Sequence, residues 1–246
     1  FPEISSFWLS LVILLLVYYC VAGGFRVVAG ICFLGVIIPS YLLFTLFFML
    51  GYMDFHNLLP VWNHKPAEML QAATTMLGGY IGFTVIFMFY PYIQNAKSSQ
   101  KWAHGGIAAS TFVYLILMIT AIAFFGVNRM EHTVWPTLEM WKIVTMPFVE
   151  RFEYIGISTW TLIVLTNLCL SFWAASRGIR QLFSLNQRHA LIGILIISLI
   201  LSSYINGKEQ IDALSSMLDQ MGLYLNSLYV PLLFILSLFL LRRKKS

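Results

Sequence analysis

Charge is what this sequence has least of. Of its 246 residues only 10% are Asp, Glu, Lys or Arg, against 59% hydrophobic residues and a mean hydropathy of +0.81. A water-soluble fold needs far more polar cover, so the solvent has to be lipid. The short alternating segments of a membrane barrel are missing too. The apolar residues come in long runs, and in a bilayer such runs are helices, because the backbone must satisfy its own hydrogen bonds there. Cysteine is scarce: Cys20, Cys32 and Cys169 lie inside apolar runs without C-x-x-C or Cys/His spacing, which favours packing over metal or redox chemistry. Also missing are H-E-x-x-H, G-x-S-x-G, a Walker lysine and paired carboxylates within an apolar run. His56, His64, His104, His132 and His189 all fall in loops or at run ends. Neither catalysis nor a cofactor or metal is expected. No basic n-region precedes Phe7, so the first run reads as a span rather than a signal peptide. Without repeats or low-complexity linkers, residues 1–246 read as a single transmembrane domain.

Windows of about 17 to 22 apolar residues, the length that crosses a bilayer, fall at seven places: Phe7 to Gly24, Ile31 to Leu50, Leu77 to Ile93, Gly105 to Gly126, Ile155 to Ala175, Ala190 to Asn206, and Met221 to Leu241. The third is the least regular. Gly78, Gly79 and Gly82 open it and Pro91 nearly closes it, a composition that favours a broken path.

The net charge of +5 and pI near 9.1 would suit nucleic acid, but the placement of the charges is topological. Arg242, Arg243, Lys244 and Lys245 directly follow the last run, which puts the C-terminus in the cytoplasm under the positive-inside rule. By alternation Arg26, Lys97, Lys101, Arg177, Arg180 and Arg188 join them inside, while Lys65, Arg129, Lys142, Arg151 and Lys208 fall outside. All ten acidic residues fall outside as well, which a wrong span count would have scattered. No nucleic-acid partner is expected. Two exterior stretches are long enough for structure of their own, Gly51 to Met76 and Val127 to Tyr154. Within the second, Trp135 to Pro147 suits a short helix lying in the headgroup region.

Several polar residues carry two readings each. Thr74, Thr75, Gly78, Gly79, Tyr80, Gly82 and Thr84 combine hydroxyls with glycines that let the backbone approach a ligand, and equally let two helices pack closely. Glu150, Arg151 and Glu153 form either an outer anchor or a gate and partner contact; Glu150 and Glu153 share a helical face, and Arg151 is expected to reach a carboxylate only through a neighbouring element. Trp160, Thr161, Thr166 and Asn167 lie deeper in the same run, and Asn167 is expected to face the bundle interior, for interhelical bonding or ligand contact. Asn226, Ser227 and Tyr229 beside Pro231 invite the same pair of readings.

The segments NLLPVWNHKPAEML (57 to 70), FMFYPYIQNAK (87 to 97) and PTLEMWKIVTMPFVERFEYIGISTW (136 to 160), in this order and at these separations, resemble the B-subunit family of spore germinant receptors. These are permease-like proteins of the amino acid, polyamine and organocation superfamily. The resemblance implies a ten-helix bundle of two inverted five-helix repeats, of which this chain matches the last seven helices. It also implies that the third run is the unwound sixth helix of that bundle, which gives Gly78, Gly79 and Gly82 weight as site residues. The implied function is recognition of an amino-acid-type germinant at the inner membrane of a bacterial endospore, beside A and C subunits. A secondary amino acid transporter and a scaffold subunit without its own ligand site are the alternatives. No acidic residue lies within a run, which favours sensing over proton-driven pumping.

Overall fold

The computed structural model describes residues 5–60, 64–78, 81–130, 132–144, 151–205 and 207–243. Among them every regular element is helical, and the chain is an all-α membrane protein. The longer helices are α1 (Ser6–Ala22), α2 (Phe25–Ile37), α3 (Pro66–Gly78), α4 (Ala96–Met130), α5 (Pro136–Trp141), α6 (Phe152–Phe183), α7 (Gln187–Tyr204), α8 (Lys208–Tyr224) and α9 (Val230–Arg243). Among the described residues, five helical segments are long and apolar enough to cross a membrane: Phe25–Tyr52, Ala96–Met130, Phe152–Phe183, Gln187–Tyr204 and Glu209–Leu238. Ser6–Ala22 and Gly82–Tyr92 are apolar but shorter, so the seven expected runs appear as five full-length candidates and two short ones.

The departures from simple helices have local causes. Pro39 lacks the N–H that would bond the carbonyl of Gly35, and α2 tightens there into a 3₁₀ stretch, Ile38–Thr45, before a single α turn, Leu46–Met49. The third run is assembled from a 3₁₀ piece, Ile81–Val85, one α turn, Ile86–Phe89, and a second 3₁₀ piece, Tyr90–Tyr92, around Pro91. The last run starts far earlier than hydropathy indicates, because α8 carries Glu209, Asp212 and Asp219 on helical backbone and continues through a π-helical stretch, Leu225–Tyr229, into α9. Pro231 accounts for that bulge: its ring would collide with the carbonyl four residues back, and a widened turn clears it.

The chain forms two compact units. One comprises Phe1–Leu14, His64–Met88 and Ile192–Ser246. In it α3 packs against α8. Pro66 occupies the first position of α3, and Glu68 reaches back to accept from the Lys65 backbone N–H at 3.2 Å, closing the helix start as a capping box does.

The other unit comprises Leu15–Asn63 and Phe89–Leu191. Its spine is α2 against α6, and Gly35 sets how closely they cross: a Cβ there would collide with the Thr166 methyl. Along α6, Thr166, Cys169, Trp173 and Ser176 recur at helical spacing and are buried. Cys20 and Cys169 are buried and Cys32 is half-buried. A second core holds Leu42, Leu46, Met49, Ala121, Met140, Trp141, Val144 and Phe152. The short helix expected near Trp135 exists as α5, but its Met140 and Trp141 are buried in protein, with Trp141 lying flat on Gly156 of α6. A Cβ at Gly156 would collide with that ring.

Candidate functional site

The centre of α6 is the feature that hydropathy alone would not place in an apolar helix. Asn167 stands at the midpoint of Phe152–Phe183, is exposed, and makes no side-chain hydrogen bond among the described residues. Trp160 lies two turns earlier on the same face, 47% exposed, with its ring edge-on to Trp135 at 6.1 Å between centroids. Exposed Ser171 continues that face one turn further on. The expectation that Asn167 points into the bundle does not hold within its unit. Its neighbour Thr166 takes the inward position against Gly35, and one residue of helix turns Asn167 about 100° away. Thr166 itself donates to the Ile163 carbonyl at 2.7 Å, and Thr161 donates to Ile157 at 3.0 Å, so neither hydroxyl is spare. Tyr41 and Thr159 share a hydrogen bond of 2.7 Å that ties the end of the α2 path to α6.

The glycine and threonine set lies in the other unit. Thr74 and Thr75 both donate to the Gln71 carbonyl, at 2.7 and 3.1 Å, so their hydroxyls are spent on α3 itself. Gly78 ends α3; Gly79 and Tyr80 lie outside the described residues. Gly82 and Thr84 sit on the 3₁₀ piece that follows. A Cβ at Gly82 would meet nothing within 4 Å, so its small size is not required by packing among the described residues.

Glu150 is also outside the described residues, but its neighbours correct an expectation. Arg151 does not need another element to find a carboxylate: its Nε donates to Glu153 Oε1 at 2.7 Å. The reason is backbone. Arg151 is the N-cap residue, extended at φ −132° and ψ 81°, so its side chain folds over the first turn of α6 instead of following helical spacing. Its guanidinium also lies 4.4 Å from the Tyr154 ring centroid, a cation–π distance. Glu153 is buried and Arg151 mostly exposed, so the pair sits at the rim of the helix, a position open to both the anchor and the gate or partner-contact readings.

Sequence reasoning missed a contact between Asp54–Asn57 and the end of α4. Gly126, at φ 69° and ψ 159°, breaks α4 near its end. The Ala123 carbonyl then accepts from the Asp54 backbone N–H at 2.9 Å and from Asn57 Nδ2 at 3.2 Å. Asp54 in turn accepts from the His56 backbone N–H at 3.0 Å, and His56 Nδ1 stands 2.9 Å from the same oxygen. These bonds, the backbone one first, hold the Asp54 carboxyl below its ordinary value of 3.8. The only signal in the sequence was Asp-Phe-His-Asn as a turn and a glycine at the end of a run.

A chain of apolar helices, one of them broken, with a polar face at mid-span and charges gathered at helix ends, is an all-α integral membrane protein. It belongs to the spore germination protein family, whose spore permease profile matches residues 1–211, and with it to the germinant receptor B subunits. Spore germination protein GerQB of Bacillus cereus is 39% identical over 237 residues, covering 96% of this chain and 66% of that protein. Spore germination protein YndE of Bacillus subtilis is 24% identical, covering 76% of this chain and 52% of YndE. Spore germination protein A2 of the same organism is 21% identical over 92% of this chain and 64% of its own length. The chain thus spans about half to two thirds of the length of these relatives. No solved structure matches it.

Proposed function

We propose that this chain acts, as one permease-like domain, as the membrane subunit of a nutrient germinant receptor that binds an amino-acid-type germinant and triggers germination. The A and C subunits implied by the family are its partners, and the inner membrane of the endospore, with the C-terminus in the cytoplasm, is its place. The observation that carries the ligand reading is Asn167, an unpaired amide at the middle of an apolar helix. An amide there is costly against lipid and supplies both donors and acceptors, which is what the ammonium and carboxylate of an amino acid require. Trp160 on the same face offers an aromatic surface to the rest of a ligand. The family resemblance adds Thr74, Thr75, Gly78, Gly79, Tyr80, Gly82 and Thr84 as candidates around the broken helix, with Gly82 supported by the open space above it.

The test is to place Asn167→Ala and Gly82→Leu in the full-length gene, in spores lacking the native copy, and to titrate germination with single amino acids. Loss of one hydrogen bond to a charged ligand group should raise the half-maximal germinant concentration about 10-fold or more for Asn167→Ala. Protein level, followed by immunoblot, should stay at wild type for both variants. Unchanged sensitivity in both would sink the ligand reading. Labelled amino acid uptake into vesicles without any germination phenotype would establish the transporter instead.

A further inference from the structure

At the end of the second unit remote from Asp54, three chain segments meet on an aromatic cluster. Phe25 opens α2, Tyr92 ends the 3₁₀ piece that comes before α4, and Trp173 lies in the later part of α6. Phe25 is 4.7 Å from Tyr92 and 4.6 Å from Trp173 between ring centroids, and Tyr92 meets Trp173 edge-on at 5.7 Å. The start of α7 joins them, since Gln187 Nε2 lies 3.4 Å from the buried Ser176 hydroxyl. These contacts place Arg26, Lys97, Lys101, Arg177, Arg180 and Arg188 at one end of the unit. Among the described residues, the acidic side chains of the unit, Asp54, Glu139 and Glu153, belong to segments at the other end of the same helices.

Arg177 is the member whose surroundings say most. Its guanidinium stands 5.8 Å from the Tyr92 ring centroid, and its buried Nε has no hydrogen-bond partner among the described residues. A guanidinium beside an aromatic ring and with its Nε–H unpartnered matches the oxygens of a phosphate. Exposed Tyr92 at the same level suits the headgroup depth of a membrane, and helices with a basic pocket between their ends take anionic lipid heads there.

We propose that this end of the protein is a binding site for the phosphate headgroup of an anionic phospholipid, with Arg177 as the central contact and Arg180 beside it. A lipid is the fitting occupant because Tyr92, 43% exposed, and half-buried Phe25 set an apolar surface next to the cations, and because the helices around them carry exposed apolar side chains along their length. An acidic protein segment would use the cations but not that apolar floor.

The test uses the full-length protein, purified and reconstituted in phosphatidylcholine alone or mixed with phosphatidylglycerol or cardiolipin, with retained lipid identified by native mass spectrometry. The wild type should retain anionic lipid selectively. Arg177→Gln should lower that retention about five-fold, the worth of one basic residue at a lipid surface. Arg180 is exposed, so Arg180→Gln leaves the fold alone and should give a similar loss even if Arg177→Gln misfolds. Arg129→Gln, at the opposite end of α4, should change nothing. Equal retention of anionic and zwitterionic lipid, or equal losses from Arg129→Gln and Arg180→Gln, would overturn the proposal. So would unchanged lipid retention combined with loss of a co-purifying subunit, which would assign the patch to a protein partner.

Discussion

Gly35 and Thr166 divide one space between them. Because a Cβ at Gly35 would overlap the Thr166 methyl, Gly35→Ala forces α2 and α6 apart at their crossing. Overpacking of this kind costs about 1–3 kcal/mol, so the variant should show a clearly lowered unfolding temperature in detergent. Adding Thr166→Ser, which removes the methyl and keeps the hydroxyl, should recover part of the loss; no recovery would place the strain elsewhere. Asp54 makes a prediction about pH. Its folded-state carboxyl titrates below 3.8, so its contribution is present above the ordinary carboxylate range and fades as the pH falls through and below it. Protease nicking of the Asp54–Asn57 turn should therefore rise on acidification below about pH 4 in the wild type. Asp54→Asn, which cannot titrate, should show nicking with no such acid-dependent rise.

The elements repeat this lesson at a larger size, since their ends are set by single residues. A straight helix of 35 residues would measure about 52 Å, far beyond the roughly 30 Å of hydrocarbon, and α4 breaks at Gly126 instead. That backbone conformation is open almost only to glycine, so Gly126→Ala should cost about 1–3 kcal/mol. Asn57→Ala removes one of two donors from the Ala123 carbonyl and should cost about 1 kcal/mol. Thermal unfolding of both variants should rank Gly126→Ala as the more damaging, and the reverse order would mean that the turn, not the glycine, shapes the end of α4. The seven apolar runs were legible because burial in lipid demands them, whatever the packing. What hydropathy could not reach was structure made of polar or mixed residues: α3 and the acidic α8 are helices without an apolar signature. The 3₁₀ pieces after Pro39 and around Pro91 were legible only as proline positions. Among candidate residues, Asn167 stood out as a costly amide, but which way it faces depended on Gly35, a residue that carried no signal until α2 lay against α6.

For the whole molecule, two facts have to be satisfied together: an apolar surface and segregated charge. Val36, Phe44 and Ile197 are 74%, 67% and 59% exposed, a cover that only lipid or other membrane helices can supply. Basic residues cluster at one set of helix ends, the set that the positive-inside rule predicts to be cytoplasmic. α4 tests both at once, because Ser98 lies in its first turn, His132 lies just beyond its end, and both are exposed. With the three native cysteines replaced, Ser98→Cys and His132→Cys in the full-length protein should behave oppositely towards a membrane-impermeant maleimide. In intact cells producing the protein, His132→Cys should label and Ser98→Cys should label only after permeabilisation. The inverse pattern would turn the whole topology over, since every other connection alternates from this one. Labelling of both from outside would mean that α4 does not cross, and the seven-run scheme would fail with it.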